Sequence, residues 1–99
     1  MPQIELQPEV QDDFERFFDN MEQFEITAAP ARIGEIVQAL RLLSHAPLAG
    51  RPVGAGKREL IIGRDSRGFV ALYRYVPQID TVFILAIRSQ REAGYQHLP

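Results

Sequence analysis

Three apolar segments separated by short connections fill the C-terminal part of the chain and most constrain its fold. The first begins at Leu60, the second covers residues 69–76 and the third covers residues 81–88. They are rich in Val, Ile, Phe and Tyr, which are typical of strands. Residues 77–80 are too few for the crossover that parallel neighbours need. The sequence therefore predicts an antiparallel meander of three strands.

The N-terminal third has the pattern of a short strand followed by a helix. Ile4 and Leu6 alternate with polar residues and Pro8 follows them, which predicts an edge strand that stops there. Apolar residues then recur at the helical spacing i, i+3, i+4 and i+7: Phe14, Phe17, Phe18 and Met21. We expect the first helix to run from Pro8 to Met21 or Phe24, with Asp12, Asp13, Glu15 and Asp19 on a solvated face.

A second helix is expected between Thr27, as its N-cap, and Pro47, which ends it. Its apolar positions repeat the same spacing: Ile33, Ile36, Val37, Leu40 and Leu43. Residues 47–56 contain two prolines and three glycines and are expected to form a loop that leads to the sheet. The fold class expected is α+β: a helix hairpin packed on a small antiparallel sheet in the order β-α-α-β-β-β. With 99 residues, we expect one domain over residues 1–99.

Composition excludes several classes of protein. Without cysteine the chain has no disulfides, thiol nucleophiles or thiolate metal sites, which fits a cytoplasmic protein. The N-terminus lacks the pattern of a signal peptide, and no apolar run approaches the roughly 20 residues that cross a bilayer. His45 and His97 have no companions at metal-ligand spacing. We therefore expect no metal, no cofactor and no membrane partner.

Charge is divided unevenly between the two halves of the chain. Residues 1–50 carry nine acids and three bases (3 − 9 = −6), whereas residues 51–99 carry eight bases and four acids (8 − 4 = +4). This division indicates that the C-terminal half meets an anionic partner, either nucleic acid or an acidic protein segment. The alternative is that the two halves neutralise each other within the fold.

Both faces of the predicted sheet are apolar along much of their length. Strict alternation places Phe83, Leu85 and Ile87 on one face of the last strand, and Val82, Ile84, Ala86 and Arg88 on the other. One face should pack on the helices. A soluble monomer rarely leaves the other face bare, so we expect a partner to cover it.

Arg88, Arg91 and Tyr95, which lie at and beyond the end of the last strand, are the candidate catalytic residues. Arginine can stabilise the charge of a pentacovalent phosphate and tyrosine can move a proton, which together would suit a metal-free ribonuclease. The alternatives are partner binding without chemistry and a solvated basic strand end.

Several stretches in this order resemble the RelE/ParE superfamily of type II toxins, often named plasmid stabilisation proteins. The resemblance covers most of the chain. It rests on the helix-one residues Pro8 to Phe14, the stretch from Leu42 to Pro52, and the motifs at residues 58–62, 72–75 and 82–88 followed by Arg91. It implies the strand, helix, helix and three-strand order, and a cognate antitoxin as partner. An acidic antitoxin segment would pair with Arg58, Arg74, Arg88 or Arg91.

The branch within the superfamily decides the function that the resemblance implies. RelE-like members are ribosome-dependent mRNA endoribonucleases, and they resemble one another in basicity and in an arginine directly after the aromatic that opens the middle strand. Here that position is Val70, and the pI is about 5.6. The Arg58-Glu59-Leu60 opening looks like the ParE branch, whose members inhibit DNA gyrase by binding. We favour ParE; the alternative is a RelE-like enzyme with ribosome and mRNA as partners.

Overall fold

The computed structural model describes residues 1–20, 27–63 and 68–97. The described chain forms two helices and five strands. In chain order they are β1 (Gln3–Leu6), α1 (Pro8–Asp19), α2 (Ala29–Leu42), β2 (Arg51–Gly54), β3 (Lys57–Ile62), β4 (Phe69–Val76) and β5 (Thr81–Ser89), with a short 3₁₀ turn at Pro77–Ile79 before β5. The α+β class is confirmed.

The five strands form one mixed sheet in the order β1-β5-β4-β3-β2. The predicted antiparallel meander, β3-β4-β5, is confirmed. β1 is an edge strand, as expected, but it pairs with β5 in parallel, so the sheet is not purely antiparallel. The reason is topological. The helix pair leaves the chain at the end of the sheet where β1 finishes, β2 carries it back across the sheet, and β3 and β5 then run in the same direction as β1.

The stretch expected to be a loop, residues 47–56, contains a strand. β2 pairs with β3 as an antiparallel hairpin that turns through Gly54, Ala55 and Gly56, all with positive φ. Glycine adopts such angles without steric cost, and that property makes the tight turn. Pro52 is tolerated because β2 is the outer strand of the sheet.

Both helices are close to their predictions but differ at the ends. α1 begins at Pro8 and ends at Asp19, and the predicted ends at Met21 or Phe24 lie outside the described residues. α2 begins after Ala28, not Thr27, with no side-chain cap, and it ends at Leu42, before the predicted stop at Pro47. Within the described ranges, neither helix is long and apolar enough to cross a lipid bilayer.

The two helices pack on one face of the sheet and share one core. Phe17 of α1 lies 4.9 Å from Phe69 of β4, measured between ring centroids. Phe18, which was expected in the apolar stripe, is exposed, and Val10 takes its place in the core. The buried cluster comprises Val10, Phe17, Ile36, Leu40, Leu43, Ile62, Phe69, Ala71, Tyr73, Val82, Ile84 and Ile87.

A β-bulge in β5 changes which residues face the core. Leu72 pairs with Ala86 but Tyr73 pairs with Ile84, so Leu85 is an extra residue without a partner in β4. The prediction that Ile87 faces away from Val82 and Ile84 is therefore wrong. Ile87 joins the core, and Arg88 turns to the face away from the helices, which we call the distal face.

Asp13 is fully buried, so the expected solvated position is wrong for this residue, whereas Asp12, Glu15 and Asp19 are exposed as expected. Oδ2 of Asp13 accepts a hydrogen bond from the backbone N–H of Ile87 at 2.9 Å, and its Oδ1 accepts one from Arg16 Nη1 at 2.7 Å. Arg16 Nη2 in turn donates to the carbonyl oxygen of Ile87 at 3.3 Å. β1 ends opposite Ile84 and does not reach Ile87. The side chains of Asp13 and Arg16 therefore bond to the backbone N–H and carbonyl oxygen of Ile87 in place of a neighbouring strand.

Replacing Asp13 by alanine should strongly destabilise the fold. The change leaves the N–H of Ile87 without an acceptor and Arg16 without its buried counter-ion, at a cost of about 3 kcal/mol. We expect thermal unfolding to show a fall in Tm of more than about 10 °C. Asp12→Ala, on the exposed face of the same turn, is the control and should change Tm little. Equal effects of the two variants would contradict the role of Asp13.

Gly50→Ala should also destabilise the fold, for a steric reason. A Cβ at Gly50 would lie 2.7 Å from the carbonyl oxygen of Glu59, and 2.7–2.8 Å from the ring and hydroxyl of Tyr73. The same hydroxyl accepts a hydrogen bond from the backbone N–H of Gly50. Gly34→Ala is the matched control, because its Cβ meets nothing within 4 Å and it lies inside α2. Urea unfolding should show a loss of about 2 kcal/mol for Gly50→Ala and a gain of about 0.5–1 kcal/mol for Gly34→Ala.

Candidate functional site

The distal face of the sheet carries both apolar and charged side chains. Strand register aligns Glu59 with Leu72 and Ala86, and it places Val70 opposite Arg88. The same alternation puts further residues on this face: Lys57, Ile61, Arg74 and Phe83.

Tyr95 lies over this face and joins its two charged groups. Its hydroxyl donates a hydrogen bond of 2.6 Å to Oε2 of Glu59, and the guanidinium carbon of Arg88 lies 5.5 Å from its ring centroid. Val70 and Leu72, which have no place in the helix-side core cluster, are only 1% and 6% exposed. Residues 90–97, which we call the C-terminal segment, therefore cover the middle of the distal face. The prediction that a partner covers this apolar face is therefore wrong for its middle, because the chain covers Val70 and Leu72 with its own residues.

Glu92 holds the start of the C-terminal segment against α1 and β5. Its carboxylate accepts hydrogen bonds from Arg16 Nε at 2.9 Å, Arg16 Nη2 at 3.1 Å and the Ser89 N–H at 2.8 Å. Its carbonyl oxygen accepts one from Arg88 Nη1 at 3.1 Å. Burial alone would lower the pKa of Arg16, but its hydrogen bonds to Glu92 and Asp13 outweigh burial and raise that pKa.

The far end of the C-terminal segment returns to the buried carboxylate of α1. His97 Nε2 lies 3.0 Å from Oδ2 of Asp13. His97 has no acidic neighbour at metal-ligand spacing in the sequence, but in the fold it contacts an acid from the far end of the chain. Within residues 1–20, 27–63 and 68–97, no group of three or more His, Cys, Asp or Glu side chains could hold a metal ion.

Glu59 is the acid at the centre of the distal face. Besides Tyr95, Arg51 Nη2 donates to its Oε1 at 2.9 Å. Burial alone would raise the pKa of Glu59, but the hydrogen bonds from Tyr95 and Arg51 and the charges of Arg51 and Arg88 lower it below its ordinary value. Glu59 is therefore a charged anchor for the C-terminal segment.

The environment of Tyr95 opposes proton transfer. Burial raises the pKa of its phenol, and the hydrogen bond to the Glu59 carboxylate and the charge of that carboxylate raise it further. Arg88 acts in the opposite direction but is outweighed. A phenol held protonated far above neutral pH is a poor general base and a weak general acid.

The structure brings together only some of the predicted site residues. Arg88 and Tyr95 are in contact, and the backbone N–H of Arg91 donates to Ser89 Oγ in the turn between them. Arg74 lies on the distal face but at the hairpin end, where Nη2 donates to the carbonyl oxygen of Ala55 at 3.0 Å. Arg58 lies on the helix side, where Nη1 donates to the carbonyl oxygens of Gly50 at 2.8 Å and Leu48 at 3.2 Å.

Residues that the sequence did not single out complete the site. For Asp13 a signal existed, because Val10, Asp13 and Phe17 follow i, i+3 and i+7 spacing along the buried stripe of α1. Glu59 had no such signal, since its place beside Tyr95 depends on pairing across three strands and on the bulge. Arg51, Arg16 and Glu92 were likewise missed, because their partners are distant in sequence.

The lowered pKa of Glu59 predicts a pH-dependent contribution to stability. A depressed carboxyl pKa stabilises the fold above the unfolded value of about 4.3, and this contribution is lost as pH falls through the folded pKa. Glu59→Gln should therefore have a smaller free energy of unfolding than the wild type at neutral pH, and this difference should disappear in acid. Urea unfolding at several pH values measures it, with Glu5→Gln on β1 as the exposed control. A gap that stays constant or widens in acid would contradict this assignment.

Comparisons with known proteins agree with this architecture. A chromosomal ParDE toxin–antitoxin system structure from P. aeruginosa matches with a TM-score of 0.74 and 22% identity over 90% of this chain and 96% of that chain. A metal-bound toxin from Helicobacter pylori matches with a TM-score of 0.53 and 14% identity over 95% of this chain and 100% of that one. At these identities the matches show the shared fold. A comparison with curated proteins gave no significant match.

A protein-family model supplies the assignment that the structures alone do not. The model described as ParE toxin of type II toxin–antitoxin system, parDE, matches residues 4–94. This range includes both helices, the five strands except Gln3 of β1, and the C-terminal segment as far as Gly94. The chain therefore belongs to the ParE toxin family of type II toxin–antitoxin systems, in the ParE branch of the RelE/ParE superfamily.

Proposed function

We propose that this toxin inhibits DNA gyrase by binding it and that a cognate antitoxin neutralises the toxin in the cytoplasm. The observation that carries the proposal is the match of the ParE family model to residues 4–94. The distal face and the C-terminal segment are the proposed contact region. They place Arg74, Arg88 and Arg91 around a surface on which Val70 and Leu72 are already covered.

The contacts of Arg88 and Tyr95 support binding without chemistry. Arg88 Nη1 is directed at the carbonyl oxygens of Ser89 and Glu92, at 3.3 and 3.1 Å, and its guanidinium stacks on Tyr95. The Tyr95 hydroxyl is bonded to Glu59. Both side chains thus fix the C-terminal segment, and neither is poised to act on a phosphate.

The alternative, a RelE-like mRNA endoribonuclease, has one observation in its favour. Arg88 and Tyr95 meet, as that chemistry would require, and Arg91 follows in the next turn. Against it, the position where the resemblance implies a phosphate-binding arginine is Val70, whose side chain is buried opposite Arg88. The net charge of −2 also disfavours binding among ribosomal RNA phosphates.

Two parallel assays of the purified protein separate the candidates. We expect gyrase-dependent accumulation of linear DNA from a supercoiled plasmid, and intact message in a translating ribosome reaction. Codon-positioned message cleavage with normal supercoiling would overturn the gyrase proposal.

Substitution of Tyr95 gives a sharper distinction between the two activities. Tyr95→Phe keeps the ring that stacks on Arg88 but removes the hydroxyl, so gyrase inhibition should fall by less than about threefold. A ribonuclease that used this hydroxyl for proton transfer should lose about a hundredfold or more. Tyr75→Phe, which removes an exposed hydroxyl bonded to Asp80, is the matched control.

A further inference from the structure

Two cations lie side by side on the distal face, at the end of the sheet where β2 turns into β3. Strand register places Lys57 of β3 directly opposite Arg74 of β4, and Phe83 of β5 opposite Arg74 on its other side. Alternation along the strands puts all three side chains on the distal face. No ion pair of the described residues includes Lys57 or Arg74. We call Lys57, Arg74 and Phe83 the cationic row.

Like charges that face each other across two strands destabilise a sheet. The Cβ atoms of such a pair lie about 4.5–5.5 Å apart, so Lys57 and Arg74 repel each other. Arg74 is also held in place, because its Nη2 donates to the carbonyl oxygen of Ala55 at 3.0 Å. A bond to a carbonyl oxygen orients the guanidinium but does not neutralise its charge. An anion bound between the two cations would relieve the repulsion.

The acids described near the cationic row do not neutralise it. Glu59, two residues along β3 from Lys57, is already bonded to Arg51 and Tyr95. Glu5 of β1 lies two strands away from the β4 member of the row, which is roughly 10 Å at the usual strand spacing. The exposed acids of α1 lie in the helix layer, on the other side of the sheet. This end of the distal face is therefore basic although the whole chain carries a net charge of −2.

The chemistry of the row suits a phosphodiester better than a protein carboxylate. The planar guanidinium of arginine binds phosphate through two parallel hydrogen bonds, and lysine adds a point charge. Arg51 on β2 extends the positive charge across three adjacent strands, which matches the repeated charges of a nucleic-acid backbone. Phe83 is half-buried, whereas a protein-binding hot spot centres on an aromatic or apolar anchor that enters a partner's pocket.

We propose that the cationic row binds the phosphodiester backbone of the DNA that gyrase holds, with Lys57 and Arg74 on one phosphate group. The other end of the distal face, around Arg88 and Tyr95, then remains available to gyrase itself. In naming the source of the DNA, the inference rests on the proposed function. The net charge of −2 makes binding to free DNA weak, so the contact forms on DNA that gyrase already presents.

Lys57→Glu tests the row because it exchanges a repulsive pair for an attractive one. The new carboxylate faces Arg74, so the midpoint of urea unfolding should stay the same or rise. The affinity for DNA should nevertheless fall by at least about tenfold, and the slope of log affinity against log salt should fall by about one or two. The measurement is fluorescence anisotropy of a labelled duplex of about 20 base pairs at about 20 mM salt.

Two controls separate the row from general charge effects. Lys57→Arg keeps the cation and should change the affinity for the duplex by less than about twofold. Arg41→Glu makes the same change in net charge at an exposed position of α2, and it should weaken binding by less than about threefold. If Lys57→Glu proves unfolded by circular dichroism, Lys57→Gln makes the same test. Equal effects of Lys57→Glu and Arg41→Glu, or no binding of the duplex by the wild type, would overturn the proposal.

Gyrase with and without bound DNA distinguishes a DNA contact from a protein contact. By biolayer interferometry, the wild type and Lys57→Glu should bind DNA-free gyrase with equal affinity. The variant should bind the gyrase–DNA complex at least about tenfold more weakly than the wild type does. An equal loss of affinity for both forms of gyrase would show that the row contacts the protein, and would overturn the proposal.

The outcome is separable from that of the proposed function. If gyrase linearises plasmid equally well with the wild type and with folded Lys57→Glu, the DNA contact fails while inhibition of gyrase stands. If the duplex binds through the cationic row but gyrase stays fully active with the wild type, the row stands as a DNA-binding surface and the proposed inhibition fails.

Discussion

The hydrogen bond between the buried carboxylate of Asp13 and the backbone of Ile87 is the interaction on which most of this structure depends. β5 is longer than β1, so its outer edge continues past the last paired residue with backbone groups that no strand satisfies. Asp13 and Arg16, three residues apart on α1, supply an acceptor and a donor to Ile87. A buried peptide group without a hydrogen-bond partner costs about 1–3 kcal/mol. Two side chains from one turn of α1 avoid this cost for both the N–H and the carbonyl oxygen of Ile87.

The same two side chains also place the C-terminal segment. Asp13 contacts His97, and Arg16 binds Glu92, so α1, the edge of β5 and residues 90–97 form one polar network. Asp13 is wholly buried, while its partners are partly exposed. The fold and the candidate site therefore share one anchor, and a change that loosens the edge of β5 should also loosen the cover of the distal face.

The helices and strands were predictable where the local sequence pattern determines them. They were not predictable where pairing between strands distant in sequence determines them. The meander, both helices and the edge position of β1 follow from periodicity and short connections. β2 did not, because two prolines and three glycines in residues 47–56 indicate a loop, and here two of those glycines, Gly54 and Gly56, form the turn of a hairpin. The bulge at Leu85 has no local signal either. Without it, strict alternation would leave Arg88 on the same face as Val82 and Ile84, inside the core.

That single extra residue explains why the candidate site was only half predictable. The contact between Arg88 and Tyr95 could be expected from their proximity along the chain. The place of Glu59 could not, because it requires the registers of β3 with β4 and of β4 with β5 together. The bulge turns Ile87 inward and Arg88 outward, so one irregularity supplies both the core residue that Asp13 anchors and the cation that stacks on Tyr95.

The arginines that looked equivalent in sequence are divided between two faces of the sheet. Arg88 stacks on Tyr95 on the distal face, whereas Arg58 lies on the helix side, where two backbone carbonyl oxygens hold it. A partner bound at Arg58 would leave Tyr95 and Glu59 in contact, so it need not displace the C-terminal segment. β2, the strand that the sequence did not predict, forms the outer edge of the sheet at which these two faces meet.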